Sequence, residues 1–465
     1  MNESMFYYRF PINMQNRLDE NFNNPRFDVI NPILSQAKYK VVLLDNLLND
    51  INSGKTPKGL QYKDEGIPFL GASNINKGTV DIESAPKIDA GVHNTILKSS
   101  QIKKDDVLVT IAGTIGECAV YDFEDECNCN QAIAILRTKE EEINPFFLVE
   151  YLNSEIGQLF FNKLQHISSQ PNINLSEIRR IKIVKPEKSI QQNIVRELKP
   201  HSDAVKTLIK AQSSLLERKE KIFRYFLGIK DLEIKKFDYY PLSPSEMLTR
   251  YDFDYNNPKY SIFGVIFDES KFDFVDLKSV ANFHYETINP TKNPEKEYEY
   301  IDIGNIDTKF GKINSTRMLG KEMTSSRMRR IVREGYVLVS TTRPTRKAIA
   351  IVPKELDNQI CSTGFAVIEC NEQITNEFLF YFLRTDIAKL QFEQFCSGSG
   401  YPAINQEVDL PKIKVPFIPS KNDQNTIVYS LKKIDIMIEY LENKIIQKTN
   451  QSANLFQNLI INYGL

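Results

Sequence analysis

The chain has 465 residues, a length that predicts about three domains at roughly 150 residues each. Hydrophobic residues make up 41% and charged residues 26%, the mix of a soluble globular protein that can bury real cores. Lys plus Arg (59) nearly cancel Asp plus Glu (60), so a uniformly basic protein is excluded and any nucleic-acid surface must be a local patch.

No apolar run approaches the ~18 residues of a membrane span, so no membrane partner is expected. The opening Met1–Asn13 has no basic stretch followed by an apolar one, so it does not read as a secretory signal. The six cysteines (Cys118, Cys127, Cys129, Cys361, Cys370, Cys396) are scattered, without CxxC pairs, and read as reduced thiols of a cytoplasmic protein.

In chain order, the elements of the first half return in the second. Arg17–Phe27 comes back as Arg250–Tyr260, an offset of 233. Phe69–Ile75 is answered by Tyr300–Ile306, Asp106–Thr110 by Tyr336–Ser340, Phe147–Leu152 by Phe378–Leu383, and Pro171–Asn174 by Pro402–Asn405. One order held over half the chain means a tandem duplication. Each copy reads as α+β: short β-rich runs such as Asp106–Thr110 and Ala132–Leu136, then a helix over Pro145–Leu164 or Asn376–Phe395.

Each copy closes on a long helix. With His201, Gln212 and Lys219 filling the gaps, positions step by 4 and 3 through the apolar residues Ile194, Leu198, Val205, Leu208, Leu215 and Ile222, and again through Ile427, Leu431, Ile434, Ile438, Leu441 and Ile445. A sustained heptad seam predicts a coiled coil; the competing reading is an amphipathic helix packed on its own domain. Two matching seams can satisfy each other, and antiparallel pairing makes an internal two-fold. The 33 residues from Ile194 to Phe226 would span about 50 Å, the length of a ruler between two similar readers.

These residues resemble the specificity subunit of type I restriction-modification systems. The resemblance rests on the duplicated order around heptad helices, on Ser53–Pro57 followed by Gly66–Leu70, on Asp106–Gly116, and on Gly335–Ser340 with Pro402–Asn405. It implies a tandem duplication of an α+β target recognition domain, each followed by a long helix, the two helices pairing as an antiparallel coiled coil. The divisions are 1–190 (first recognition domain), 191–228 (first helical spacer), 229–249 (linker), 250–420 (second recognition domain) and 421–465 (second helical spacer). It also implies a non-catalytic reader of double-stranded DNA, one half of a bipartite site per domain. The implied partners are two DNA methyltransferase (modification) subunits and, through them, restriction/translocase subunits. The chain itself needs no cofactor; S-adenosylmethionine and ATP/Mg would sit on the partners. One departure stands out: where the first copy has Gly113-Thr-Ile-Gly116, the second has Arg343-Pro-Thr-Arg346, so the two loops should read different bases.

An enzyme would need motifs that are missing. Gly54-Lys-Thr56 lacks the first glycine of a phosphate loop, because Asn49 stands in its place. Asn257-Pro-Lys-Tyr260 lacks the second proline of an amino-methylation motif, and the four histidines are scattered. No catalytic or metal residue is assigned.

The basic signal runs from Arg317 to Lys347, with nine basic residues against Glu322 and Glu334, a pattern suited to phosphates. Candidate DNA-binding residues there are Arg327, Arg329, Arg330, Thr342, Arg343, Thr345, Arg346 and Lys347. The loops before each Pro-x-Ile-Asn offer small polar groups to base edges: Gln170 in the first copy, Ser397, Ser399 and Tyr401 in the second. The first copy has no comparable basic run, and its further candidates are Lys55, Lys58, Asn74, Asn76, Lys77 and Thr114. Two rival functions are a stand-alone DNA-binding regulator and a coiled-coil scaffold without methylase partners.

Overall fold

A computed structural model of the chain describes residues 21–63, 65–76, 78–166, 171–230, 254–398 and 401–463. It divides into two compact units: residues up to Lys210 together with those from Glu442 onward, and Ala211–Leu441.

In the first unit Leu48–Ser53, Ile133–Thr138, Val107–Thr110 and Cys118–Val120 lie side by side as an antiparallel sheet. Seven of the ten residues in the two central strands are apolar, because both faces are covered. Val107, Val109, Ala134 and Leu136 point to one core and Leu108, Ile133 and Ile135 to another, the alternation a pleated strand imposes. The second core joins this sheet to a mixed one, ordered Lys87–Ile88, Ile67–Leu70, Cys127–Cys129, Gln101–Ile102, whose inner pair is parallel.

The second unit repeats the plan. Ala281–His284, Phe365–Cys370, Val337–Ser340 and Ile349–Ile351 form the antiparallel sheet. Thr316–Leu319, Glu297–Ile301, Ile360–Ser362 and Met328–Ile331 form the mixed one, again with a parallel inner pair.

The single helix expected over Pro145–Leu164 is two, Pro145–Asn153 and Glu155–Leu164. Ser154 breaks it in extended conformation and caps the second piece through Gly157 N. The second copy repeats the break between Asn376–Leu383 and Asp386–Phe395, capped by Thr385. Ser or Thr followed by an acid is an N-cap signature.

The long helices are Lys188–Leu227 and Lys421–Tyr463. Each begins in the unit whose sheets precede it and ends in the other. Ile194 and Leu198 share the first unit's core with Phe456 and Leu459, while Ile427 and Leu431 share the second unit's core with Phe223 and Leu227. Within each unit the two helical segments therefore run antiparallel. Both readings of the helices hold in part. Ile194, Leu198, Val205, Ile427, Leu431, Ile434 and Ile438 are buried, and the first of these in each helix belong to a domain core as well as to the seam. Leu208, Leu215, Ile222, Leu441 and Ile445 are only half-buried. Of the expected linker 229–249, residues 231–249 lie outside the described residues.

Candidate nucleic-acid interface

The strand Val337–Ser340 runs into the turn Pro344–Arg346, bracketed by Arg343 at φ 49° and Lys347 at φ 60°. The corresponding turn of the first copy has Gly113 at φ 82° and Gly116 at φ 89°. This backbone needs two left-handed positions, which glycine adopts freely and which cost a residue with a side chain about 1–2 kcal/mol each. The second copy bears that cost at two cationic residues. Strain of this kind concentrates at functional sites.

The turn is held against the Pro-x-Ile-Asn segment. Arg343 N donates to Pro402 O at 2.7 Å and Ile404 N to Thr341 O at 2.9 Å, and Ala403 bridges to both Thr342 and Ser397. The Arg343 guanidinium lies 4.2 Å over the ring of Tyr401, which is 74% exposed. Two stretches read separately in the sequence thus form one surface, carrying Thr342, Arg343, exposed Arg346, Ser397 and Tyr401, with Thr345 half-buried.

Exposed Arg327, just before the strand Met328–Ile331 of the neighbouring sheet, is tied to this turn through its backbone. Its carbonyl accepts from Thr363 N at 2.9 Å, and Thr341 donates to the adjoining Gly364 O through both its amide (2.8 Å) and its hydroxyl (2.9 Å). The first copy is built alike: Asn172 bridges to Ala112 and His166, and Ile173 N donates to Ile111 O at 3.1 Å, with Thr114 exposed beside them.

Several candidates have other work. Arg330 is 5% exposed, and its Nη1 donates to Phe365 O at 2.6 Å and Gln406 Oε1 at 2.8 Å. It positions the surface rather than forming part of it. Asn74 is buried: Oδ1 accepts from Gly71 N at 2.9 Å, and Nδ2 donates to Asp81 O at 3.2 Å and Ser84 Oγ at 3.0 Å. Its amide is spent on its own turn, so it is withdrawn as a base reader.

Lys347 Nζ pairs with Asp386 at 3.2 Å, and Lys55 Nζ donates to Ser99 Oγ at 2.9 Å. Arg329 is half-buried; Lys58 and Asn76 are exposed, Asn76 on a turn whose Gly78 and Thr79 face the long helices of the same unit. Lys77, Gln170 and Ser399 lie outside the described residues.

The basic count also shrinks. Arg317 pairs with Glu299 at 3.2 Å, Lys321 with Glu295 at 3.3 Å, and Arg333 with Glu286 at 3.2 Å. With Lys347, four of the nine cations are neutralised by neighbours. Arg327, Arg329 and Arg346 form no ion pair among the described residues.

Sequence reasoning missed Arg384. Buried at the end of an apolar helix, it donates to Lys347 O at 3.1 Å, Thr308 O at 2.9 Å and Lys309 O at 2.6 Å, fixing the far end of the strained turn. A charge closing the run Phe378–Leu383 was its only sequence signal.

A duplicated β-rich domain, each copy presenting a turn against a Pro-x-Ile-Asn segment and each closed by a long helix, is the plan of a DNA-specificity protein. The chain belongs to the type I restriction modification DNA specificity family, which it matches over residues 37–218 and again over 269–451. It is 27% identical over 182 residues to the type I restriction enzyme EcoBI specificity subunit of Escherichia coli, a stretch that spans 38% of either chain. Among solved structures it is similar to a type I restriction-modification S subunit from M. genitalium, at 15% identity, covering 91% of this chain and 96% of that one, with a TM-score of 0.36. A second similar structure comes from work on complex assembly and conformational transition of the type I system, at 15% identity, 92% and 97% coverage, and a TM-score of 0.42.

Proposed function

We propose that this chain is the non-catalytic specificity subunit of a type I restriction-modification complex, each domain reading one half of a bipartite double-stranded DNA site. The observation that carries this reading is the pairing, in both copies, of one turn with one Pro-x-Ile-Asn segment, the second copy presenting Arg343 stacked on Tyr401. Arginine in that position can read guanine bidentately or hold phosphates, and both roles suit a DNA surface.

The long helices set the distance between half-sites and dock two modification subunits, and restriction/translocase subunits join through those. An exposed apolar stripe on the second long helix, Tyr429, Ile436, Met437 and Tyr440, suits a helical partner. S-adenosylmethionine, ATP and Mg belong to the partners, and the complex works in the cytoplasm. Among the described residues no helix is long and apolar enough to cross a membrane.

The test is co-expression with the cognate modification subunit and mapping of methylated adenines. A two-part motif with a fixed gap is expected. One heptad inserted after Leu208 and one after Leu441 should widen that gap by about three base pairs while both half-sites survive. An unchanged gap would remove the helices as the ruler.

A further inference from the structure

The duplication lets one unit serve as a control for the other where the long helices meet each domain. In the second unit the Lys219 ammonium sits 2.5 Å from Asp435 Oδ1. Tyr381 OH donates to Asp435 Oδ2 at 2.8 Å, and the ammonium lies 5.1 Å over the Tyr381 ring. A cation is thus built into that joint, with its counter-charge.

At the helical offset of 233 and the domain offset of 231, the corresponding residues of the first unit are Ser452 for Lys219, Ser202 for Asp435 and Glu150 for Tyr381. The lysine is gone, and the carboxylate has moved from the helix to the domain. What remains is a cavity of about 80 Å³ lined by Glu150, Ser202, Thr449 and Ser452.

None of these four side chains hydrogen-bonds to another described residue, and among the described residues Glu150 is the one charged side chain that lines the cavity. Of the other polar side chains lining it, Asn153 holds Cys118 N and O at 3.0 and 2.9 Å, Ser154 Oγ donates to Tyr151 O at 2.6 Å, Thr79 Oγ1 donates to Asn76 O at 3.1 Å, and Asn450 is exposed. Burial alone pushes the Glu150 carboxyl up to about 7. A carboxylate in such a place is either protonated or matched by a positive charge.

We propose that this cavity is a monovalent-cation site, in which potassium or ammonium on Glu150 takes the place that the Lys219 ammonium holds in the second unit. One carboxylate with three hydroxyls supplies a single negative charge and neutral oxygens. A divalent ion would leave the site net positive, and dedicated divalent sites usually carry more carboxylates. Among the described residues lining the cavity, none offers zinc or another soft metal a histidine or cysteine ligand. The cation seats both helical segments of the first unit on its domain.

The test uses the full chain at pH 8, unfolded by heat in potassium, ammonium or tetramethylammonium chloride at equal ionic strength. Potassium or ammonium should raise the transition of the first unit by about 3 °C over tetramethylammonium, which is too large to enter. Glu150→Gln should abolish the difference. Ser452→Lys, which returns an ammonium to the joint opposite Glu150, should remove it as well while keeping the higher transition. Equal transitions in all three salts for the unaltered chain would overturn the proposal, as would a salt difference that survives in Glu150→Gln.

Discussion

The Phe147 ring packs 6.1 Å from the ring of Phe456, and the same pair recurs at the repeat offset as Phe378 and Phe223, 5.7 Å apart. In both cases a ring from the domain meets a ring near the end of the long helix that the other copy contributes. All four side chains are almost wholly buried. Each domain core is therefore completed by a residue from the far repeat, and neither repeat is a closed unit in sequence.

Truncating one of these rings should unfold the unit it enters. Phe456→Ala leaves a ring-sized hole in a core that cannot collapse around it and should cost about 3–5 kcal/mol. Tyr225→Ala, whose ring is 75% exposed, should change stability by no more than about 0.5 kcal/mol. Urea midpoints of the two variants make the comparison.

The strained turn separates stability from function. Arg343→Gly relieves a left-handed φ and should stabilise the chain or leave it unchanged, within roughly 1 kcal/mol. DNA binding should nonetheless weaken. If Arg343 reads a base, the loss is about 1–3 kcal/mol at one position of one half-site; if it holds a phosphate, binding weakens uniformly and the salt slope falls by about one. Loss of folding in this variant, read by circular dichroism, would contradict the assignment of strain.

Arg330 and Arg346 should fail in opposite ways. Arg330→Ala strands the buried Phe365 carbonyl and the Gln406 amide and should cost stability by about 2–4 kcal/mol. Arg346→Ala, at an exposed residue that forms no ion pair among the described residues, should leave the melting temperature alone and reduce the salt dependence of DNA binding by about one counterion. Thermal melts and salt titrations of the same two proteins separate the roles.

The pH profile should carry a Glu150 signature. Its folded carboxyl is pushed up to about 7, above the ~4.3 of a free glutamate, so the folded state holds the extra proton. The stabilising contribution is complete below pH ~4.3 and is lost as pH rises from there through 7, a loss of about 3–4 kcal/mol in the absence of a bound cation. Glu150→Gln should flatten that fall. Denaturant titrations from pH 5 to 8 in tetramethylammonium chloride measure it.

Repetition and periodicity are one-dimensional, and they were legible without coordinates. The offset of 233, the heptad seams, the paired β-rich runs and the family all follow from residue order, because local backbone preference and side-chain spacing are properties of short stretches. The basic run misled because charge counted along a chain ignores what lies across a sheet. Arg317 stands directly opposite Glu299 in the antiparallel register, a partner 18 residues away that no window reveals. Asn74 and Arg330 looked available and are buried, since burial depends on which face of a folded turn meets the core. The union of the Arg343 turn with Pro402, and the cavity left where Ser452 replaces a lysine, were decided only by tertiary structure. Both need segments tens to hundreds of residues apart to meet within a few ångströms, and packing alone brings them there.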